Sequence, residues 1–166
     1  MNSYYLSKFE TIFSFKPAKK KHRVIEEINR LYNRLEANDF PGWDTRLVTE
    51  QTGEFPSGYF GLMFEIESGI FANGERLFQF LSLAEISEYY EFYNFAEYMP
   101  FALPFALDGC GNFYIFDFRS NNPCIYTVNS DNLSWDKNLC FKVADSFDKL
   151  INQDIPLDKI IKQQQN

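Results

Sequence analysis

Pro104-Phe105-Ala106-Leu107-Asp108-Gly109-Cys110-Gly111-Asn112-Phe113-Tyr114-Ile115-Phe116-Asp117 consists of two apolar, ring-rich runs separated by five residues of turn chemistry. Two glycines in that insert permit the positive φ angles that a tight connection demands, and the runs on either side have strand composition. A phosphate-cradling loop would lead from a strand into a helix, whereas this one leads into another strand. Cys110 has no activating neighbour that would make it a nucleophile. The stretch therefore predicts two antiparallel strands joined by a tight turn.

Working outward from this hairpin, Cys124 to Val128 reads as a further strand and Lys142 to Ala144 as an edge strand. Asp145 stands where an N-cap belongs, ahead of a closing helix with Phe147, Leu150 and Ile151, and Lys162 to Asn166 reads as a frayed tail. Upstream, Ala84 to Phe95 predicts a helix. Ile70 to Ala72 and Arg76 to Leu83 predict strands joined at Asn73-Gly74. Pro56 and Ser57 introduce a helix running through Tyr59, Leu62, Met63 and Ile66, weakened by Gly58 and Gly61. Val24, Ile25, Ile28, Leu31, Tyr32 and Leu35 recur at three- and four-residue intervals, marking an amphipathic helix over about residues 18–36. Asn38-Asp39 and Pro41-Gly42 then open a loop reaching to about residue 54. Residues 4–15 suit either a short helix or an extended arm docked on the body. The expectation is an α+β fold, an antiparallel meander sheet flanked by helices, with residues 1–166 forming a single domain.

Net charge is −7 and unevenly spread. Residues 1–39 carry eight Lys/Arg against five Asp/Glu, while residues 54–117 carry ten carboxylates against Arg76 alone. A field of that sign repels nucleic acid and anionic lipid and attracts cationic partners. Three cysteines with no Cys-x-x-Cys pair suit neither a disulfide framework nor a zinc site. No apolar run approaches the roughly 20 residues of a membrane span, and Lys8 and Glu10 interrupt the start too soon for a signal peptide. The expected location is the cytoplasm.

Catalytic chemistry finds little support. His22, the lone histidine, sits among Lys19, Lys20, Lys21 and Arg23, where nothing positions it as a base. Glu65, Glu67, Asp108 and Asp117 are candidates for a convergent carboxylate site, although a chain with 23 acids brings such groups together by chance. No metal-ligand spacing is present, and no cofactor is expected. Residues 85–97 stand out most, with Glu85, Glu88 and Glu91 along one edge and Ile86, Tyr89, Tyr90, Phe92 and Tyr93 covering much of the rest. Like charges at that spacing repel slightly, without local compensation. This helix is either a core element with a solvated edge or an acidic–aromatic patch for a basic partner.

In that order, the segments resemble the SUKH superfamily of small α+β domains. Val24 to Leu35 matches its leading helix, and Phe55-Pro56-Ser57-Gly58-Tyr59 with Leu62-Met63 its Leu-Pro-x-x-Tyr-x-x-Phe-Leu signature. Residues 104–117 match its strand–glycine loop–strand unit, Cys124-Ile125-Tyr126 its Pro-Val-Tyr strand, and Ser146-Phe147 with Leu150 its closing helix. The resemblance spans about residues 22–153, leaving 1–21 as an N-terminal extension. Glu67-Ser68-Gly69 stands where the family usually has Asn-Gly-Gly, altering the polar groups near the expected cleft. The resemblance implies an immunity-type protein that binds and neutralises a cognate toxin domain, basic and nuclease- or deaminase-like, without catalysis. A regulatory protein–protein scaffold is the alternative, and a small-molecule binder or enzyme the third reading. The partner-binding candidates are Glu65, Glu67, Glu85, Glu88, Tyr89, Glu91, Tyr93, Glu97, Asp108 and Asp117.

Overall fold

A computed structural model describes residues 3–34, 57–120 and 123–166. Among these residues, seven strands, β1 (Thr11–Pro17), β2 (Ile66–Asn73), β3 (Arg76–Phe80), β4 (Ala102–Leu107), β5 (Asn112–Asp117), β6 (Ile125–Asn129) and β7 (Cys140–Ala144), lie side by side in chain order. Every neighbouring pair is antiparallel. The sheet is thus the expected meander. Helices α1 (Lys21–Arg34), α2 (Ser57–Met63), α3 (Leu83–Phe92), α4 (Phe95–Tyr98), α5 (Phe147–Ile151) and α6 (Leu157–Gln165) flank it.

The β4–β5 turn has the predicted form. Gly109 and Gly111 take φ of +82° and +89°, a region where a side chain is strained. Asp108 closes the turn: one carboxylate oxygen accepts from the Cys110 and Asn112 amides and the other from the Asn112 side chain. The strands leaving this turn fill both faces of the sheet with rings. Phe113 meets Tyr89 of α3, Tyr93 at the C-cap of α3 and Phe95 of α4. On the opposite face Phe116 packs on Tyr59 of α2 and on Phe105, which also meets Phe147 of α5. A pleated strand sends alternate side chains to opposite faces, so helices cover both.

Several boundaries differ from expectation, each for a local reason. Residues 4–15 divide into a 3₁₀ turn at Leu6–Lys8 and edge strand β1, because pairing with β2 outweighs the helix-like ring spacing. The second helix stops at Met63, and Ile66 opens β2 rather than extending the helix. The β2–β3 hairpin pairs Asn73 with Arg76, so Gly74 (φ +54°) and Glu75 form the turn. β3 ends at Phe80, and Ser82 caps α3 in place of strand reaching Leu83. Ser146, not Asp145, caps α5, accepting from the Lys149 amide. The tail is not frayed: α6 runs to Gln165, anchored by buried Leu157 and by Gln164 donating to the Lys142 carbonyl. The predicted end of the first helix beyond Arg34, the loop to residue 54 and the Pro56 start signal lie outside the described residues.

Candidate functional site

Helix α3 begins with a reciprocal cap. The Ser82 hydroxyl accepts from the Glu85 amide at 3.1 Å, and the Glu85 carboxylate accepts from the Ser82 amide at 2.7 Å. Such a cap contributes about 1 kcal/mol. The buried residues Leu83, Ile86, Ser87 and Tyr90 follow at three- and four-residue steps and define the inner stripe. At about 100° per residue, Glu85, Glu88 and Phe92 fall within roughly 60° of one another, opposite Leu83. Phe92 is 82% exposed, and Glu88 is exposed one turn before it. The chain then turns at Asn94, which adopts φ +55°, into α4, where Tyr98 is 56% exposed.

Half-buried Tyr89 and Tyr93 stack on each other at 5.8 Å and both meet Phe113 edge-on. They form the floor of this corner, while Phe92, in edge contact with Tyr93 at 5.1 Å, stands above them. Phe101, just past α4, also holds a left-handed backbone, φ +68°, which is unfavourable for a residue with a Cβ.

Most of the other sequence candidates have partners within the chain. Glu91 grips the Arg34 guanidinium through two hydrogen bonds of 2.9 and 2.8 Å, tying α3 to α1. The hydrogen bonds from Arg34 hold the Glu91 carboxyl below the usual carboxylate range. This clamp therefore persists above the ordinary carboxylate pKa and is lost only as pH falls through the lowered value. Together with the Glu85 cap, it supplies the local compensation that like-charge spacing alone did not reveal. Glu97 accepts from the Asn94 side chain at 2.6 Å. Glu65 accepts from the Tyr5 and Leu6 amides and anchors the N-terminal segment. Glu67 lies 4.0 Å from the Lys19 ammonium. Asp117 forms a two-point pair with Arg119, whose guanidinium stacks 3.7 Å over Trp135.

The carboxylates considered for acid–base work do not meet. Asp108 lies at the start of the β4–β5 turn and Asp117 at the far end of β5, so roughly 17 Å of strand separates the two ends. Glu65 is three strands away from Asp117 across the sheet. Cys140 is buried, which pushes its thiol up to about 12 and leaves it protonated near neutrality. A groove of about 220 Å³ lies between α1 and α3, lined by Arg30, Arg34 and Ser87 among others. Two other hollows, of about 360 Å³ beside β1 and β2 and of about 390 Å³ beside Glu75 and α6, reach the lower end of the roughly 300–1,000 Å³ usual for ligand sites. Among the described residues, no group of three or more His, Cys, Asp and Glu side chains is gathered to hold a metal, and no helix is long and apolar enough to cross a membrane.

The sequence reading chose Tyr89 and Tyr93 as anchors and passed over Phe92 and Tyr98. Helical phase would have found Phe92: the stripe Leu83, Ile86, Ser87, Tyr90 places it about half a turn from the core. Tyr98 carries no comparable signal, because its exposure follows from the break at Asn94.

An antiparallel meander with helices on both faces and an exposed acidic–aromatic helix corner defines a small α+β protein. The chain belongs to the SMI1 / KNR4 family (SUKH-1), matching it over residues 26–153. Membership is consistent with immunity or regulatory roles and points to protein–protein interaction; the family is generally non-catalytic. No curated protein matches the chain.

Proposed function

We propose that this chain is an immunity protein that binds a cognate basic toxin domain, nuclease- or deaminase-like, and neutralises it in the cytoplasm by covering it, without catalysis. The observation carrying this reading is the outer stripe of α3, where Phe92 stands 82% exposed beside Glu85 and Glu88. An exposed ring gives stiff contact area at low entropic cost, and surrounding carboxylates steer a cationic surface onto it. The whole chain, residues 1–166, is taken as one functional domain.

Growth rescue tests the proposal. A toxin domain encoded beside this chain is expressed in bacteria with and without it. The wild type should restore growth, and a Phe92→Ala/Glu88→Lys variant that melts like the wild type should fail to do so. Absence of rescue by the folded wild type would overturn the toxin-neutralising reading. Retained binding to a host protein in that case would favour the regulatory scaffold instead.

A further inference from the structure

Strand β1 lies outside the stretch that matches the family, at one edge of the seven-stranded sheet, and all seven of its residues are exposed. The two edges are not alike. On β7, the Gln164 and Gln153 side chains donate to the Lys142 and Val143 carbonyls. β1 instead presents Ile12, 44% exposed, and Phe13, 62% exposed, on a strand that, among the described residues, is paired on one side only. An edge strand leaves about half of its backbone groups free to pair with another chain. We propose that this edge receives an extended segment of a partner protein as an eighth, antiparallel strand, with carboxylates at the N-terminal end of that segment.

Charge sets the polarity. Lys16 closes β1, and Lys19, Lys20 and Lys21 follow it directly. Lys19 is ion-paired with Glu27 and lies near Glu67, and Arg23 faces Glu26. Among the described residues, Lys16, Lys20 and Lys21 have no carboxylate partner and stand as surplus positive charge, with Lys21 set 5.7 Å over the Phe64 ring. An antiparallel guest places its N-terminal end beside this cluster, so acidic residues belong there. The guest strand is short, because the ladder shifts register between Ile12 and Ser14 and again before Pro17, which has no N–H. A second copy of the chain fits poorly: antiparallel pairing about Ser14 sets Ile12 against Lys16 and brings together two bodies of net charge −7. The surface is distinct from the α3–α4 corner and opposite to it in sign.

The test uses fluorescently tagged peptides and the full chain. One peptide alternates valine and threonine behind three leading aspartates; a second carries the aspartates at its C-terminal end; a third is the first with alternate amides N-methylated. Anisotropy should show the first binding at least about tenfold more tightly than the other two, as expected when both register and main-chain pairing matter. Ile12→Lys and Phe13→Lys, on exposed side chains, should reduce that binding to a similar degree with unchanged melting. Equal affinity for the three peptides, or no binding by the folded wild type, would overturn the proposal. So would sedimentation showing a wild-type dimer that Phe13→Lys converts to monomer.

Discussion

Phe113→Ala should lower the free energy of unfolding by about 3–5 kcal/mol, the usual cost of removing a buried phenylalanine ring. Phe113 is fully buried and lies 5.9, 5.1 and 5.4 Å, centroid to centroid, from Tyr89, Tyr93 and Phe95. It is the pillar beneath the α3–α4 corner. Its loss leaves a void that three rings on two short helices cannot all close. Because domains are stable by only about 5–15 kcal/mol, this is a large share of the total. Urea unfolding should report it as an earlier midpoint, and amide exchange in residues 83–92 should accelerate. Phe113→Leu, which keeps more of the volume, should cost less. A loss below about 1 kcal/mol for the alanine variant would show that the corner does not rest on this ring.

The second large effect is on association rate. Residues 54–117 carry a formal charge of −9, four of the ten carboxylates being Glu85, Glu88, Glu91 and Glu97. Steering by such a field raises encounter with a cationic surface by about 10- to 1000-fold at low salt. Replacing Glu85, Glu88 and Glu97 together by Gln should therefore slow association with the toxin domain by about tenfold or more and flatten its salt dependence. Gln retains the α3 cap, so stability should hold. Glu91 is left in place because its loss would release Arg34 and loosen α1 from α3. At 0.15 M salt the screening length is about 8 Å, and the difference between the proteins should shrink accordingly. Stopped-flow mixing across a salt series measures it. Association indifferent to the triple change, with an unaltered melt, would exclude this helix as the steering face.

What could be read in the sequence was what local chemistry dictates. The Asp108–Asn112 turn was legible because its glycines occupy positive φ, and the meander because each strand carries its own turn signal. The α3 cap was also present, as Ser82 and Glu85 at capping-box spacing, but Glu85 equally continues the acidic spacing of Glu88 and Glu91. α6 was hidden by its polar Lys-Gln composition. Its register depends on buried Leu157 and on a hydrogen bond to β7, a tertiary contact rather than a local one. β1 was ambiguous because Tyr5, Phe9 and Ile12 also fit helical spacing, and only pairing with a strand some 55 residues later decides it. The partnering of the candidate carboxylates was the least legible. Arg34 and Glu91 are 57 residues apart, and Glu65 is claimed by amides 59 and 60 residues upstream. No spacing rule reaches that far.

The most direct test of the account is the dissociation rate of the complex with the toxin domain, compared between the wild type and Phe92→Ala. Phe92 is 82% exposed, so the variant should melt like the wild type. As a central anchor, its truncation should cost about 2 kcal/mol or more, which speeds dissociation by about 30-fold. An unchanged dissociation rate, with melting also unchanged, would contradict the claim that the outer face of α3 is where this protein grips its partner.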